Sequence, residues 1–303
     1  CNRSGLQIEG PVEEFKINLK ASLPEDLVGR FSRIVLAVKA HHTRQATNML
    51  LPHLDKNGYV LSAQNGLNEM VISEIVGRPR TMGAFLNFGA DWLGPGRILF
   101  GNRGAVVLGE LDGSVYPRTN DMFNLMQKFD SDAVLTDNIW GYLWGKLAYG
   151  AMLFATALTN RSMADNFAKA EFTPIWSGLA REVIALAQKR SVTPVGFNGF
   201  DPAAFLPGSD RLEADRCISG LVAFNMKSAK THSGIWRDLA VRRRKTEVDD
   251  QIGILIDLAT ESGVEVPLIK CLVTLVHDVE EGTRPLSDET LMPLMDVINS
   301  RDL

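Results

Sequence analysis

Cysteine is scarce in this chain and shows no pairing pattern. Cys1, Cys217 and Cys271 are the only three in 303 residues, and their spacing suits neither a disulfide framework nor a zinc site. That usage fits a reducing, cytoplasmic setting. Excess positive charge is also missing. A formal net charge of -4 and a pI near 5.8 argue against nucleic acid as a partner. Repeats and low-complexity tracts are absent, so neither a solenoid nor a disordered tract organises the chain. Only one long apolar run exists, IWGYLWGKLAYGAMLFATAL at 139–158. It is about long enough to cross a bilayer. Three glycines dilute it, however, and a central lysine adds roughly 3 kcal/mol to the cost of insertion. A buried helix, with no membrane partner, is the expectation. A GxGxxG loop between a strand and a helix is absent too; GPG at 94–96 and GFNGF at 196–200 lack that context. Taken alone, this argues against a dinucleotide-binding domain.

What is present is an ordinary globular balance, 45% hydrophobic and 22% charged, with material for two domains. The first part alternates strands and helices. LQIEG (6–10) and EFKINLKA (14–21) read as short strands. RIVLAVKA (33–40) reads as a buried strand of a parallel sheet, followed by a helix over roughly 42–53 and a strand at YVLSAQ (59–64). Successive strands over 81–111 predict an antiparallel extension of the same sheet. Beyond residue 137 helices take over, at 138–158, 174–190, 211–228, 245–262, 266–281 and 287–299. The expected boundary gives domains 1–136 and 137–303, with the ligand site between them. Cys1 as first residue fits a chain cut at its N-terminus better than an acylated lipoprotein.

Lys146 is the only charge in the apolar run. It is either a snorkelling side chain with its ammonium in water or a catalytic group on a cleft wall. Lys39 ends a strand where open α/β sheets bind ligands and is placed to meet a cofactor phosphate; a solvated strand end is the plainer reading. Asn65 and Gly66 end the next strand, where Gly66 permits positive φ and Asn65 can reach a ligand; a routine turn would look the same. Glu247 stands early in the expected 245–262 helix, where an acid also compensates the helix dipole. Arg242, Arg243, Arg244 and Lys245 form a basic run, read as a solvated helix start or as contacts to an anion. His41 and His42 are adjacent, but no carboxylate or cysteine lies at ligand spacing, so no metal site is expected.

In order, AVKAHHT (37–43), SAQNGLNE (62–69), GPGRILFG (94–101), LWGKL (143–147), SGIWRDLAVRRRKTEVDDQIG (233–253) and GVEVP (263–267) resemble the ketopantoate reductase (2-dehydropantoate 2-reductase) family. The resemblance implies an α/β Rossmann-type domain, here without its first strand–helix–strand, followed by an all-α domain like that of 6-phosphogluconate dehydrogenase. It also implies that about 35–45 residues carrying the glycine-rich loop belong upstream. The implied activity is NADPH-dependent reduction of a small 2-oxo acid to a 2-hydroxy acid, as in pantothenate biosynthesis. NAD remains open as cofactor, and the chain is expected as a monomer or homodimer. By resemblance Lys146 is the catalytic lysine, hydrogen-bonding the carbonyl oxygen and supplying its proton; burial lowers a lysine's pKa and eases that donation. Glu247 matches the acid near substrate and cofactor. Lys39, His42, Asn65 and Gly66 match cofactor-binding positions. Ser233, or Gly234 after a one-residue shift, matches the substrate-carboxylate position.

The chain departs from the family where asparagines stand four and eight residues after the lysine. Here Gly150 and Phe154 occupy those positions, so a bulkier or more apolar substrate is expected against an open Gly150 and an apolar Phe154 wall. A site that loses its polar donors loses discrimination for a hydroxylated substrate. The rival reading is a degenerate, non-catalytic dinucleotide- or metabolite-binding protein of the same fold.

Overall fold

Short apolar runs closed by glycine or polar turns become the strands of the first part of the chain. In the computed structural model the order is β1 (Leu6–Glu9), β2 (Phe15–Ile17), β3 (Phe31–Leu36), α1 (Thr43–Leu50), β4 (Leu54–Ser62), α2 (Asn68–Val76), β5 (Thr81–Leu86), β6 (Gly89–Gly94), β7 (Arg97–Asn102), β8 (Val106–Glu110), α3 (Pro117–Phe129) and β9 (Val134–Leu135). The structure describes residues 5–228 and 230–300; Cys1 and the N-terminal expectations that rest on it lie outside them. Two units result, Cys1–Ile139 with Ser228–Lys230, and Trp140–Lys227 with Thr231–Leu303.

The first unit is built on a mixed sheet of order β3-β4-β5-β8-β9. β3, β4 and β5 run parallel, and β8 is antiparallel to β5. β4 is buried on both faces. Tyr59 and Leu61 pack with Met82, Ala84, Leu108 and Met122 on one side, while Val60 packs with Leu36, Leu54, Ile72 and Val76 on the other. Period-two alternation sends successive side chains to opposite faces, so a doubly covered strand reads as a continuous apolar run. RIVLAVKA does not behave as expected. β3 is the edge strand of this sheet among the described residues, and Val35 is 50% exposed; only Leu36 of the strand is buried.

The expected single antiparallel extension divides in two. β5 and β8 stay in the mixed sheet, whereas β6 and β7 leave it and form a second sheet of order β2-β1-β7-β6. β1 runs parallel to β7, and Arg97 clamps Glu9 across them with two hydrogen bonds of 2.6 and 2.9 Å.

The second unit is helical: α4 (Ile139–Thr156), α5 (Met163–Ala168), α6 (Thr173–Lys189), α7 (Arg211–Met226), α8 (Gly234–Trp236), α9 (Ile254–Ser262), α10 (Pro267–Glu280) and α11 (Met292–Asn299). Its core collects aromatic rings. Tyr149 meets Phe167, Phe197 and Phe200 with ring centroids about 6 Å apart, a spacing that favours tilted and edge contacts. Burial pushes the Tyr149 phenol up to about 12, and Asn225 Nδ2 donates to its oxygen at 3.2 Å. The buried Glu182 of α6 accepts the Leu268 and Ile269 amides at 3.0 and 2.9 Å, meeting two of the orphan donors at the start of α10. Among the described residues no helix is long and apolar enough to cross a membrane.

One ion-pair junction ties the α4–α5 turn to the segment before α11. Asp288 accepts from Arg161 Nη2 at 2.8 Å and from Lys169 Nζ at 2.6 Å. Arg161 first, then Lys169, hold its carboxyl down from the ordinary 3.8 to about 2. A depressed folded value stabilises the protein above the unfolded value and stops doing so as pH falls through the folded one. At pH 7 the contribution is roughly 1–2 kcal/mol after screening around the half-exposed Arg161. Urea denaturation should therefore show Asp288→Asn less stable than wild type at pH 7, with the gap about halved at pH 3. A gap that stays constant between those pH values would rule out this ionisation as its source.

Candidate functional site

α4 is enclosed almost all round. From Tyr142 onward, only Tyr142, Lys146, Gly150 and Leu153 retain partial exposure, and every other side chain of the helix is buried. At 3.6 residues per turn these four lie within about 40° of the Lys146 direction. The lone charge therefore stands on the one accessible stripe beyond the first turn; in that turn Trp140 is also partly exposed, on another side. Phe154 does not share it. Eight residues carry the helix about 80° past Lys146, whereas seven bring Leu153 back to within about 20°. Phe154 is fully buried in the core, so the expected apolar wall on this stripe is Leu153, which the sequence reading overlooked.

Two of the three glycines of this helix have different duties. At Gly145 a Cβ would run into the Val195 carbonyl oxygen, and Val195 N donates to Gly141 O at 2.9 Å. At Gly150 a Cβ would meet nothing within 4 Å, so the stripe carries a gap one turn beyond Lys146.

Glu247 is 8% exposed. It lies in a loop ahead of the helix rather than within it, because the expected 245–262 helix starts with a π turn over Asp249–Gly253 and becomes α-helical only at Ile254. A second π turn, Arg237–Val241, precedes the loop. π turns recur at functional positions. Between them Arg243 adopts φ +48, an uncommon conformation for a side chain of that size. The basic run lies in the loop rather than at a helix start; Arg243, Arg244 and Lys245 are exposed, and two of its arginines share one carboxylate. The buried Asp238 accepts Arg242 Nη1 at 2.8 Å and Arg244 Nε at 3.0 Å; the i,i+4 spacing of Asp238 and Arg242 is the signal that could have shown it. Ser233 Oγ caps the short α8 by accepting the Trp236 amide at 3.1 Å, while a Cβ on Gly234 would meet open space.

In the first unit Lys39, His42, Asn65 and Gly66 gather at the carboxyl ends of β3 and β4. Lys39, His42 and Asn65 are exposed and Gly66 is buried, with φ +96; only glycine takes that angle without strain. A polar network that the sequence reading did not anticipate supports them. Gln64 Nε2 donates to Val38 O at 2.8 Å and to Thr43 Oγ1 at 2.7 Å. Thr43 donates to Asn68 Oδ1 at 2.7 Å, and Asn68 Nδ2 to Asn65 O at 2.6 Å. Gln64 Oε1 is enclosed without a partner. The rings of His41 and His42 pack edge to face, and no metal-binding cluster occurs among the described residues.

A pocket of about 650 Å³ lies at the opposite, amino end of the parallel strands, between Arg78–Pro79 and Glu110–Arg118. Its charges answer one another. Arg118 forks onto Glu110 at 2.9 and 2.6 Å, Tyr116 donates to Asp112 at 2.7 Å, and Arg78 to Leu111 O at 3.0 Å. It offers shape more than a charged anchor.

Residues 1–113 match the family described as Ketopantoate reductase PanE/ApbA, and residues 138–280 match its C-terminal domain. The chain belongs to the ketopantoate reductase family. Among its relatives, the 2-dehydropantoate 2-reductase of Streptococcus pyogenes serotype M18 is 22% identical over 279 residues, covering 91% of this chain and 85% of the relative. Solved structures share the fold, and two illustrate it. D-mandelate dehydrogenase, in a ternary structure with NADH and anilino(oxo)acetate, aligns with TM-score 0.79 at 20% identity, over 93% of this chain and 86% of that one. The 2-dehydropantoate 2-reductase of Geobacter metallireducens aligns with TM-score 0.77 at 18% identity, over 92% and 87%. The ketopantoate reductase fold thus accounts for the mixed sheet followed by helices.

Gly145 and Gly150 of α4 yield opposite expectations. Gly150→Ala should raise thermal stability, because a helical glycine costs about 0.5–1 kcal/mol relative to alanine and its site is open. Gly145→Ala should lower it by about 1–3 kcal/mol through overpacking. Thermal denaturation of both variants checks the pair; equal shifts would contradict the packing described.

Proposed function

We propose that this ketopantoate reductase family member reduces the carbonyl of a 2-oxo acid to a hydroxyl, with NADPH as reductant and Lys146 as proton donor. The observation that carries the reading is the placing of Lys146, the sole charge of a buried helix, on the one stripe that stays accessible beyond the helix's first turn. An ammonium on a largely apolar wall donates a strong hydrogen bond to an oxygen that gains negative charge. When bound, a reduced nicotinamide supplies two electrons and a hydrogen to the carbonyl carbon. Lys146 Nζ gives its proton to the carbonyl oxygen, the C=O π bond becomes a C–OH, and the lysine recovers a proton from water. Glu247 orients Lys146 or the substrate's polar groups. Lys39, His42, Asn65 and Gly66 hold the dinucleotide, supported by the exposed Lys39 and Asn65 and the left-handed turn that Gly66 permits. Ser233, already a helix cap, and the open Gly234 flank the substrate carboxylate.

The gap at Gly150, bordered by Leu153, favours a substrate with a larger or less polar substituent than ketopantoate. The naming of D-mandelate and anilino(oxo)acetate for a structural neighbour agrees with a substituent of that kind. The choice of NADPH over NADH rests on family membership.

The test is steady-state oxidation of NADPH, and of NADH, by the full-length protein with ketopantoate, pyruvate and phenylglyoxylate. Phenylglyoxylate should give the highest kcat/KM. Lys146→Met, which keeps the apolar stem and removes the donor, should lower kcat by about 10²–10⁴ without lowering the melting temperature. Retention of kcat within tenfold would remove Lys146 from the chemistry. Cofactor binding without turnover of any of these acids would favour a non-catalytic binding protein.

A further inference from the structure

We propose that Glu280, the last residue of α10, is a positioning residue that holds the loop carrying Glu247; this rests on the assignment of Glu247 as the acid of the site. One carboxylate oxygen of Glu280 accepts both the backbone amide and the hydroxyl of Thr246, each at 2.7 Å. Thr246 Oγ1 in turn accepts the Val248 amide at 3.2 Å. The residues immediately before and after Glu247 are therefore tied to a single oxygen of α10, directly and through one hydroxyl. The Gln251 amide donates to Glu247 O at 2.9 Å and closes the following turn. One helical turn earlier on α10, His277 Nε2 meets Asp249 Oδ1 at 2.9 Å, a second grip on the far side of Glu247. Upstream, Arg244 is held to Asp238 through its side chain and through its amide, which donates to Asp238 O at 3.0 Å.

The place of Glu280 makes a purely local role a poor explanation. An acidic side chain at the C-terminus of a helix opposes the macrodipole, so Glu280 works against α10 itself. Its compensation is the pair of charge-assisted bonds to Thr246. The loop it holds needs such support, since it runs between two π turns and includes Arg243 at φ +48. A carboxylate that acts on substrate must be held within a fraction of an ångström by its supporting shell.

Glu280→Ala and Glu280→Gln in the full-length protein with NADPH and phenylglyoxylate test this, alone and combined with Glu247→Ala. Glu280→Ala should lower kcat about tenfold or more while KM for NADPH and the melting temperature change little. Glu280→Gln, which keeps an acceptor oxygen, should recover most of the rate. In the Glu247→Ala background, Glu280→Ala should have little further effect, because the two act as one unit. An unchanged kcat, an equal loss in the Glu247→Ala background, or a loss that only tracks melting temperature would overturn the proposal. Hydrogen exchange of the peptide 243–253 reads the grip without any turnover: Glu280→Ala should speed its exchange and leave other peptides of the second unit unchanged. If no 2-oxo acid is reduced, the enzymatic reading fails by itself, and unchanged exchange in 243–253 would still refute the grip.

Discussion

The enclosure of α4 is the constraint on which the second unit depends. Burying a helix on nearly all sides requires neighbours at every angle, and α4 meets that demand with small residues where backbones approach and large ones elsewhere. Gly145 lets the segment at Val195 come to the helix backbone, and Tyr149 carries the aromatic cluster. What remains open is a stripe a few side chains long. A charge in such a helix has one direction in which it avoids full desolvation, and Lys146 lies along it. The same geometry separates Leu153 from Phe154, adjacent in sequence and opposite in role.

In the first unit the corresponding order is polar. Gln64, Thr43 and Asn68 link the ends of β3 and β4 to the starts of α1 and α2, so the carboxyl edge of the sheet is braced by hydrogen bonds rather than by apolar packing. Exposed Lys39, His42 and Asn65 stand over that brace. Buried amide and hydroxyl groups make good supports for an edge that must meet a polar ligand, since each bond fixes direction as well as distance.

Much of this was legible in the chain. Helical patterning located α4, α6, α7 and α10 to within two residues of their observed ends, α11 begins five residues later than expected, and the change from alternating elements to helices marks where the architecture changes. Ordered short motifs pointed to the family that the comparisons support. Other features depended on tertiary context. The departure of β6 and β7 into a second sheet follows from pairing with β1, a choice of partner that strand propensity does not encode. The loop at Glu247 looks helical in sequence because its flanks are helical; the π turns, the Asp238 clamp and the Thr246–Glu280 bonds are long-range choices. Phe154 was misplaced by simple arithmetic, since two steps of four residues drift around a helix.

The parallel pairing of β1 with β7 has a kinetic consequence. Their clamp, Glu9 with Arg97, joins residues 88 positions apart, and closing a loop of that length from an unfolded chain is entropically costly. The cost falls once β3, β4 and β5 have assembled, because they fold most of the intervening chain into a small volume. The small sheet is thus conditional on the large one: contacts of high sequence separation form late unless others shorten the path. The order of assembly within the first unit is written into which strand β1 accepts as its neighbour.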